Sequence, residues 1–208
     1  MKEKINEEQL DYLREIMNVG AGNAAGALSK VLNHNVEVTI PDLYMVVVNE
    51  VTGKIVDDPS TLVACIPMDF TGDIEGKIFF IMPEKDAEIF TEILFANAPP
   101  GVERQGKIDK EAIGEVGNII TGVYLDAIKN FTKLKIYHSV PSLTFDMAQA
   151  ILDESLILAK DEMDEILVVI NTFYTKNGEF TVFLLIVPNF DIIDILCDSI
   201  SMANPGHE

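Results

Sequence analysis

The chain is poor in the groups on which most catalysts rely. Its 208 residues include two cysteines and three histidines, and neither residue type forms a cluster with metal-ligand spacing. Basic residues are also scarce, 15 against 34 acidic ones, for a formal net charge of −19. They form no patch able to neutralise successive phosphates, which argues against nucleic acid and anionic membrane as partners. The acidity reads first as a solvated surface, and a protein partner with basic groups remains open. Long apolar runs are missing too: although 48% of residues are hydrophobic, every run is broken by polar side chains well short of the ~18 residues that span a bilayer. The opening "MKEKINEEQL" alternates charge and has no apolar core, so no secretory signal is expected and the cytoplasm is the expected compartment. There Cys65 in "LVACIPM" and Cys197 in "DIIDILCDSI" are expected to be reduced core residues.

What the chain does have is a second copy of itself. When "LREIMNVGAGNAAGALSKVL" is laid over "IGEVGNIITGVYLDAIKNF", Glu15 meets Glu115, Asn18 meets Asn118 and Gly22 meets Gly122, each at an offset of 100 (115 − 15, 118 − 18, 122 − 22). The same offset brings Pro41 to Pro141, each closing an alternating segment, "NVEVTIP" and "LKIYHSVP". Further on, "GKIFFIMP" answers "FTVFLLIVP", and each precedes an amphipathic pattern, "EKDAEIFTEILF" and "NFDIIDILCDSI".

Each half therefore reads helix, strands, helix. The first helix is expected from Glu7 to Leu32, followed by strands "VEVTI", "YMVVVNEV", "TLVACIPMDF" and "GKIFFIM". The second half has a helix from Asp109 to Phe131, then "LKIYHSV", "EILVVINTFY" and "FTVFLLIV". Asn177-Gly178 between the last two predicts an antiparallel hairpin. The segment "SLTFDMAQAILDESLILAKDEMDE" is where the halves are expected to diverge, a short helix replacing a strand. "FANAPPGVERQGK", rich in proline and glycine, joins the halves. Neither half is large enough to bury both faces of its own sheet. The expected fold is α+β: an internally duplicated, pseudo-twofold single domain over 1–208, with repeats of about 1–100 and 101–208. Its sheet is expected to be largely antiparallel, with two long paired helices.

The stretch "GAGNAA" at Gly20–Ala25 imitates a dinucleotide-binding turn, which needs a strand before the glycines and a helix after them. Here Leu10, Leu13, Met17, Ala21 and Ala24 recur at helical spacing and carry on to Leu28 and Leu32, while the second copy reads "GNIITG". The glycines then serve close helix packing: Gly20, Ala21, Gly22, Ala24, Ala25 and Gly26 are expected to let the second long helix approach.

Glu15 and Asn18 remain, repeated as Glu115 and Asn118. Three residues apart on a helix, each pair shares a face, separated by ~4.5 Å of rise. One such pair reads as a solvated polar stripe. Two pairs, with asparagine mid-helix at the same distance from a proline in both, ask for more. Asparagine cannot be a general base, but its amide can accept from a water and hold it in line. Positioning is much of what phosphoryl transfer requires. A glutamate carboxylate can pair with a lysine of a macromolecular substrate. Such a site suits a substrate bringing its own metal and its own reactive bond, as an aspartyl phosphate on a response regulator does.

The spacing Asp or Ser, three residues, Glu, two residues, Asn, twenty-two residues, Pro resembles the signature of the CheC/CheX/FliY family of response-regulator phosphatases. Asp11, Glu15, Asn18 and Pro41 match it, as do Glu115, Asn118 and Pro141, with Glu111 where Asp or Ser is usual. The resemblance covers nearly the whole chain, and two copies in one chain are similar to the CheC branch. It implies a chemotaxis phosphatase acting on phosphorylated CheY-type regulators, with Glu15, Asn18, Glu115 and Asn118 as catalytic residues and Asp11 and Glu111 at the partner contact. No cofactor of its own is implied, magnesium being carried by the phosphorylated partner. It also implies binding of the chemoreceptor deamidase CheD, by a monomer or heterodimer. The deamidase contact is expected at Asp146, Met147, Ala150 and Ile151, with Glu154 on the same helix face and Asp146 as N-cap. A non-catalytic adaptor docking phosphorylated regulator or deamidase is the alternative.

Overall fold

The computed structural model describes residues 7–96, 106–156 and 165–188. The apolar periodicity that passes through the glycines is one helix, α1 (Glu7–Val31), and its counterpart α4 spans Lys110–Thr132. The Asp109 side chain caps α4 by accepting from the Ala112 amide. The two helices end alike, with Asn33 and Lys133 at φ 53° and 60°, the left-handed conformation that stops a helix. The first half continues with β1 (Glu37–Val38), β2 (Asp42–Val47), α2 (Val51–Ile55), β3 (Leu62–Gly72), β4 (Gly76–Pro83) and α3 (Glu84–Ala96). The second continues with β5 (Ile136–His138), β6 (Thr144–Met147), α5 (Ala148–Ser155), β7 (Glu165–Thr175) and β8 (Gly178–Pro188).

All eight strands form one antiparallel sheet in the order β1-β7-β8-β4-β3-β5, with β2 also on β7 and β6 also on β3. The two halves meet at its centre, where β4 pairs with β8 from Gly76–Pro188 to Ile81–Phe183. The hairpin signalled by Asn177-Gly178 is present, with Thr175 opposite Gly178. The central strands read as nearly unbroken apolar runs because both of their faces are covered. Ile66, Met68, Ile78, Phe80, Val169 and Leu184 pack with α1, α3 and α4. Their neighbours Val63, Cys65, Phe79, Ile81, Val168 and Leu185 pack with α2 and α5. Cys65 is a free buried thiol, and burial pushes its pKa up to about 12.

Two expectations change. The stretch "YMVVVNEV" is a strand only as far as Val47; Val48–Glu50 form a 3₁₀ turn leading into α2. Val48 and Val51 then lie buried at helical spacing rather than alternating. The segment after Thr144 is consequently no divergence between halves, since β6 and α5 repeat β2 and α2. Val47 and Met147 occupy the same capping position with the same extended backbone, φ −59° and −61°. The amphipathic segment "NFDIIDILCDSI" with Cys197, and most of the joining segment, lie outside the described residues.

Candidate functional site

On α1, Leu13, Ile16, Met17 and Ala21 face the core and are buried, which turns Asp11, Glu15, Asn18 and Gly22 outward. On α4, Ile113, Val116, Gly117 and Ile120 are buried, and Glu111, Glu115 and Asn118 are exposed. The 3.6-residue period thus places the same acid–amide pair on the open side of both helices. Asp11 is engaged within its own helix, its carboxylate accepting from Arg14 at 2.6 Å. Both partners are well exposed, so this pair orders the surface more than it stabilises it.

The helices meet through Gly20. A Cβ there would lie 2.7 Å from the ring of Tyr124, which is fully buried between α1 and the sheet and donates from its hydroxyl to the buried Asn171 side chain on β7. Burial raises the Tyr124 pKa, keeping the hydroxyl a donor. The close approach expected for the small residues is therefore seen at Gly20, and Ala21, Ala24 and Ala25 are buried in the same core. It fails at Gly22 and Gly26, where a Cβ would meet nothing within 4 Å, and the same is true of Gly122. These glycines open onto solvent, Gly22 and Gly122 one turn beyond the asparagines.

The remaining candidates sit in another layer. Asp146 is the penultimate residue of β6, paired with Val63, and is not a helix cap: its carboxylate accepts from the next amide, Met147, at 2.8 Å, and Met147 takes the N-cap position of α5. Met147 is 45% exposed and Ala150 is exposed, but Ile151 is 7% exposed and packs into the core between α5 and the sheet. Ile151 thus leaves the expected contact face: with Ala148 and Leu152 it lies on the side of α5 that packs on the sheet. α5 lies on the sheet face opposite α1 and α4, so the two candidate surfaces are separated by the sheet.

Two exposed residues went unnoticed in the sequence, Ile40 and Val140. Each ends an alternating segment, and only their shared place before the two prolines marks them in the sequence.

A duplicated α+β unit bearing an acid–amide pair on each of two packed helices is the class that fold and site define. The CheC-like family model matches residues 8–45 and 109–144, which is each Glu–Asn helix through to just past its proline. The chain is 32% identical over 196 residues to the CheY-P phosphatase CheC of Bacillus subtilis (strain 168), covering 92% of this chain and 93% of that one. It is 26% identical over 138 residues to the flagellar motor switch phosphatase FliY of the same organism, 66% of this chain but 35% of that protein. The X-ray structure of Thermotoga maritima FliY superposes with a TM-score of 0.74 at 17% identity, over 96% of this chain and 99% of that one, which shows a shared fold. The chain belongs to the CheC-like family.

Proposed function

We propose that this chain is a phosphatase that hydrolyses the aspartyl phosphate of a phosphorylated CheY-type response regulator, acting as one unit built of repeats 1–100 and 101–208. The observation that carries the reading is the outward exposure of Glu15 with Asn18 and of Glu115 with Asn118, each pair on one helix face above buried neighbours. At each site the asparagine amide orients a water in line with the phosphorus, and the glutamate holds the regulator through one of its lysines. The water's oxygen attacks phosphorus, the bond to the aspartyl oxygen breaks, and inorganic phosphate and a free aspartate result. Magnesium belongs to the regulator and neutralises the phosphoryl oxygens there. Asp11 and Glu111 border the contact one turn earlier.

The test is the loss of acyl phosphate from purified regulator. Asn18→Ala and Asn118→Ala should each lower the rate, and the double variant should fall to the regulator's own rate with stability nearly unchanged, both asparagines being exposed. A double variant with wild-type turnover refutes the mechanism; a wild type that binds regulator without hastening the loss makes the chain an adaptor.

The deamidase CheD is proposed to dock on the other sheet face, at Asp146, Met147 and Ala150, without Ile151. Because the sheet separates the two surfaces, regulator and deamidase can be held together. Asp146→Lys should weaken deamidase binding in a titration, and unaltered affinity would move the docking surface elsewhere.

A further inference from the structure

The proline at the end of each repeat's spacing has no part in the chemistry so far, yet its position follows from how the chain returns along the helix. Lys110 Nζ lies 4.8 Å from the centre of the Phe145 ring, and a Cβ on Gly114 would lie 3.8 Å from Leu143 Cδ2. Four residues along the helix advance about 6 Å, and two residues of extended chain about 6.6 Å. The two segments run in opposite directions, so the chain leading back to Pro141 follows α4 from Gly114 toward Asn118. The offset of 100 gives Pro41 the same separation from Asn18 along the chain.

Just before each proline stands an aliphatic side chain. Val140 is 88% exposed and Ile40 is 80% exposed, more than any other large apolar residue among the described ones. One exposed aliphatic residue is ordinary; the same residue class, similarly exposed, just before both prolines is a patterned surface. Gly22 and Gly122 keep the adjoining helix face free of side chains. A chain with a net charge of −19 meeting an anionic acyl phosphate gains no affinity from long-range steering. Short-range apolar burial next to the site supplies what charge does not.

We propose that Ile40 and Val140 are apolar docking footings, one per site, that seat the phosphorylated regulator against Asn18 and Asn118. The bare glycine faces let the regulator's surface come close to the helix. This rests on the phosphatase reading above, and the occupant is that regulator, through apolar surface bordering its phosphorylated aspartate.

The experiment compares the wild type with an Ile40→Ser, Val140→Ser double variant, following loss of acyl phosphate over a range of phosphorylated-regulator concentrations. KM is expected to rise about tenfold, as burial of an aliphatic side chain implies, with turnover at saturation kept. An unchanged KM, or a fall in turnover alone, overturns the proposal. If the wild type does not hydrolyse, titration with the regulator in its beryllofluoride-bound form reads docking by itself. About tenfold weaker binding by the double variant then supports the footing while the phosphatase reading fails, and equal binding overturns the footing. Gly22→Leu with Gly122→Leu should also raise KM, and unchanged KM there overturns the close approach.

Discussion

The outer faces of α1 and α4 match position for position, Glu15 with Glu115, Asn18 with Asn118 and Gly22 with Gly122, over interiors built differently. The counterpart of Tyr124 is Ala24. Beneath it, Val38 faces Phe173 and His138 faces Phe70, so the strands correspond at an offset of 103 (173 − 70), and the counterpart of Asn171 is Met68 (171 − 103). Where two equivalent helices cross, both draw on one shared volume. The Tyr124 ring leaves no room for a side chain across from it, so one helix supplies Tyr124 and the other the bare backbone of Gly20. The phenol brings a hydroxyl into an apolar layer, and Asn171 answers it where the first half keeps Met68. Surface likeness thus reflects what each half presents to solvent, and interior unlikeness the geometry of a shared crossing.

The comparison is broken most severely at its hinge. Tyr124→Ala should lower unfolding stability by about 3–5 kcal/mol, read as a shift of the urea midpoint with little change of slope, because it empties the crossing and leaves the Asn171 amide without its partner. A cost below about 1 kcal/mol would mean that the ring is not what joins the helices. Gly20→Ala should cost about 1–3 kcal/mol by pressing a methyl into that ring. The polar pair can be dissected by a double-mutant cycle. Tyr124→Phe and Asn171→Met should each cost about 1–2 kcal/mol, and together far less than their sum, since removing both polar partners leaves nothing unpaired. The smallest effect has the opposite sign: Gly22→Ala should raise stability by about 1 kcal/mol, as an exposed helical glycine with open space around it should. Gly20 and Gly22, two residues apart on one helix, then report opposite faces of it.

The long helices, the central strands and the Glu–Asn pairs were legible in the sequence because each rests on a period, 3.6 or 2, repeated in two copies. What was missed depends on tertiary placement. "YMVVVNEV" is rich in strand formers, and its turn into a 3₁₀ segment and α2 is imposed by packing against α5 and the far face of the sheet. Gly20 and Gly22 are the same letter in the same helix, and only the neighbour across the crossing separates a contact from an opening. Ile151 has the spacing of a surface anchor, and only the docking of α5 on the sheet through Ala148, Ile151 and Leu152 turns it inward. The depth at which Tyr124 and Asn171 meet joins residues 47 apart in the chain, a separation that no local pattern records.

The seam between β4 and β8 sets what either half could be alone. Separated from the other, a first half would leave β4 with one row of amides and carbonyls unpaired along an apolar strand, an edge that invites another chain. Because the seam is antiparallel and joins equivalent strands, the natural complement of a bare β4 is a second β4 turned by half a rotation, which would pair two identical halves as closed, self-limiting dimers. The fused chain settles that pairing within one molecule. Because its two halves need not be identical, the ring of Tyr124 on Gly20 need not be matched by a second ring at Ala24, an asymmetry that a dimer of equal halves has no means to encode.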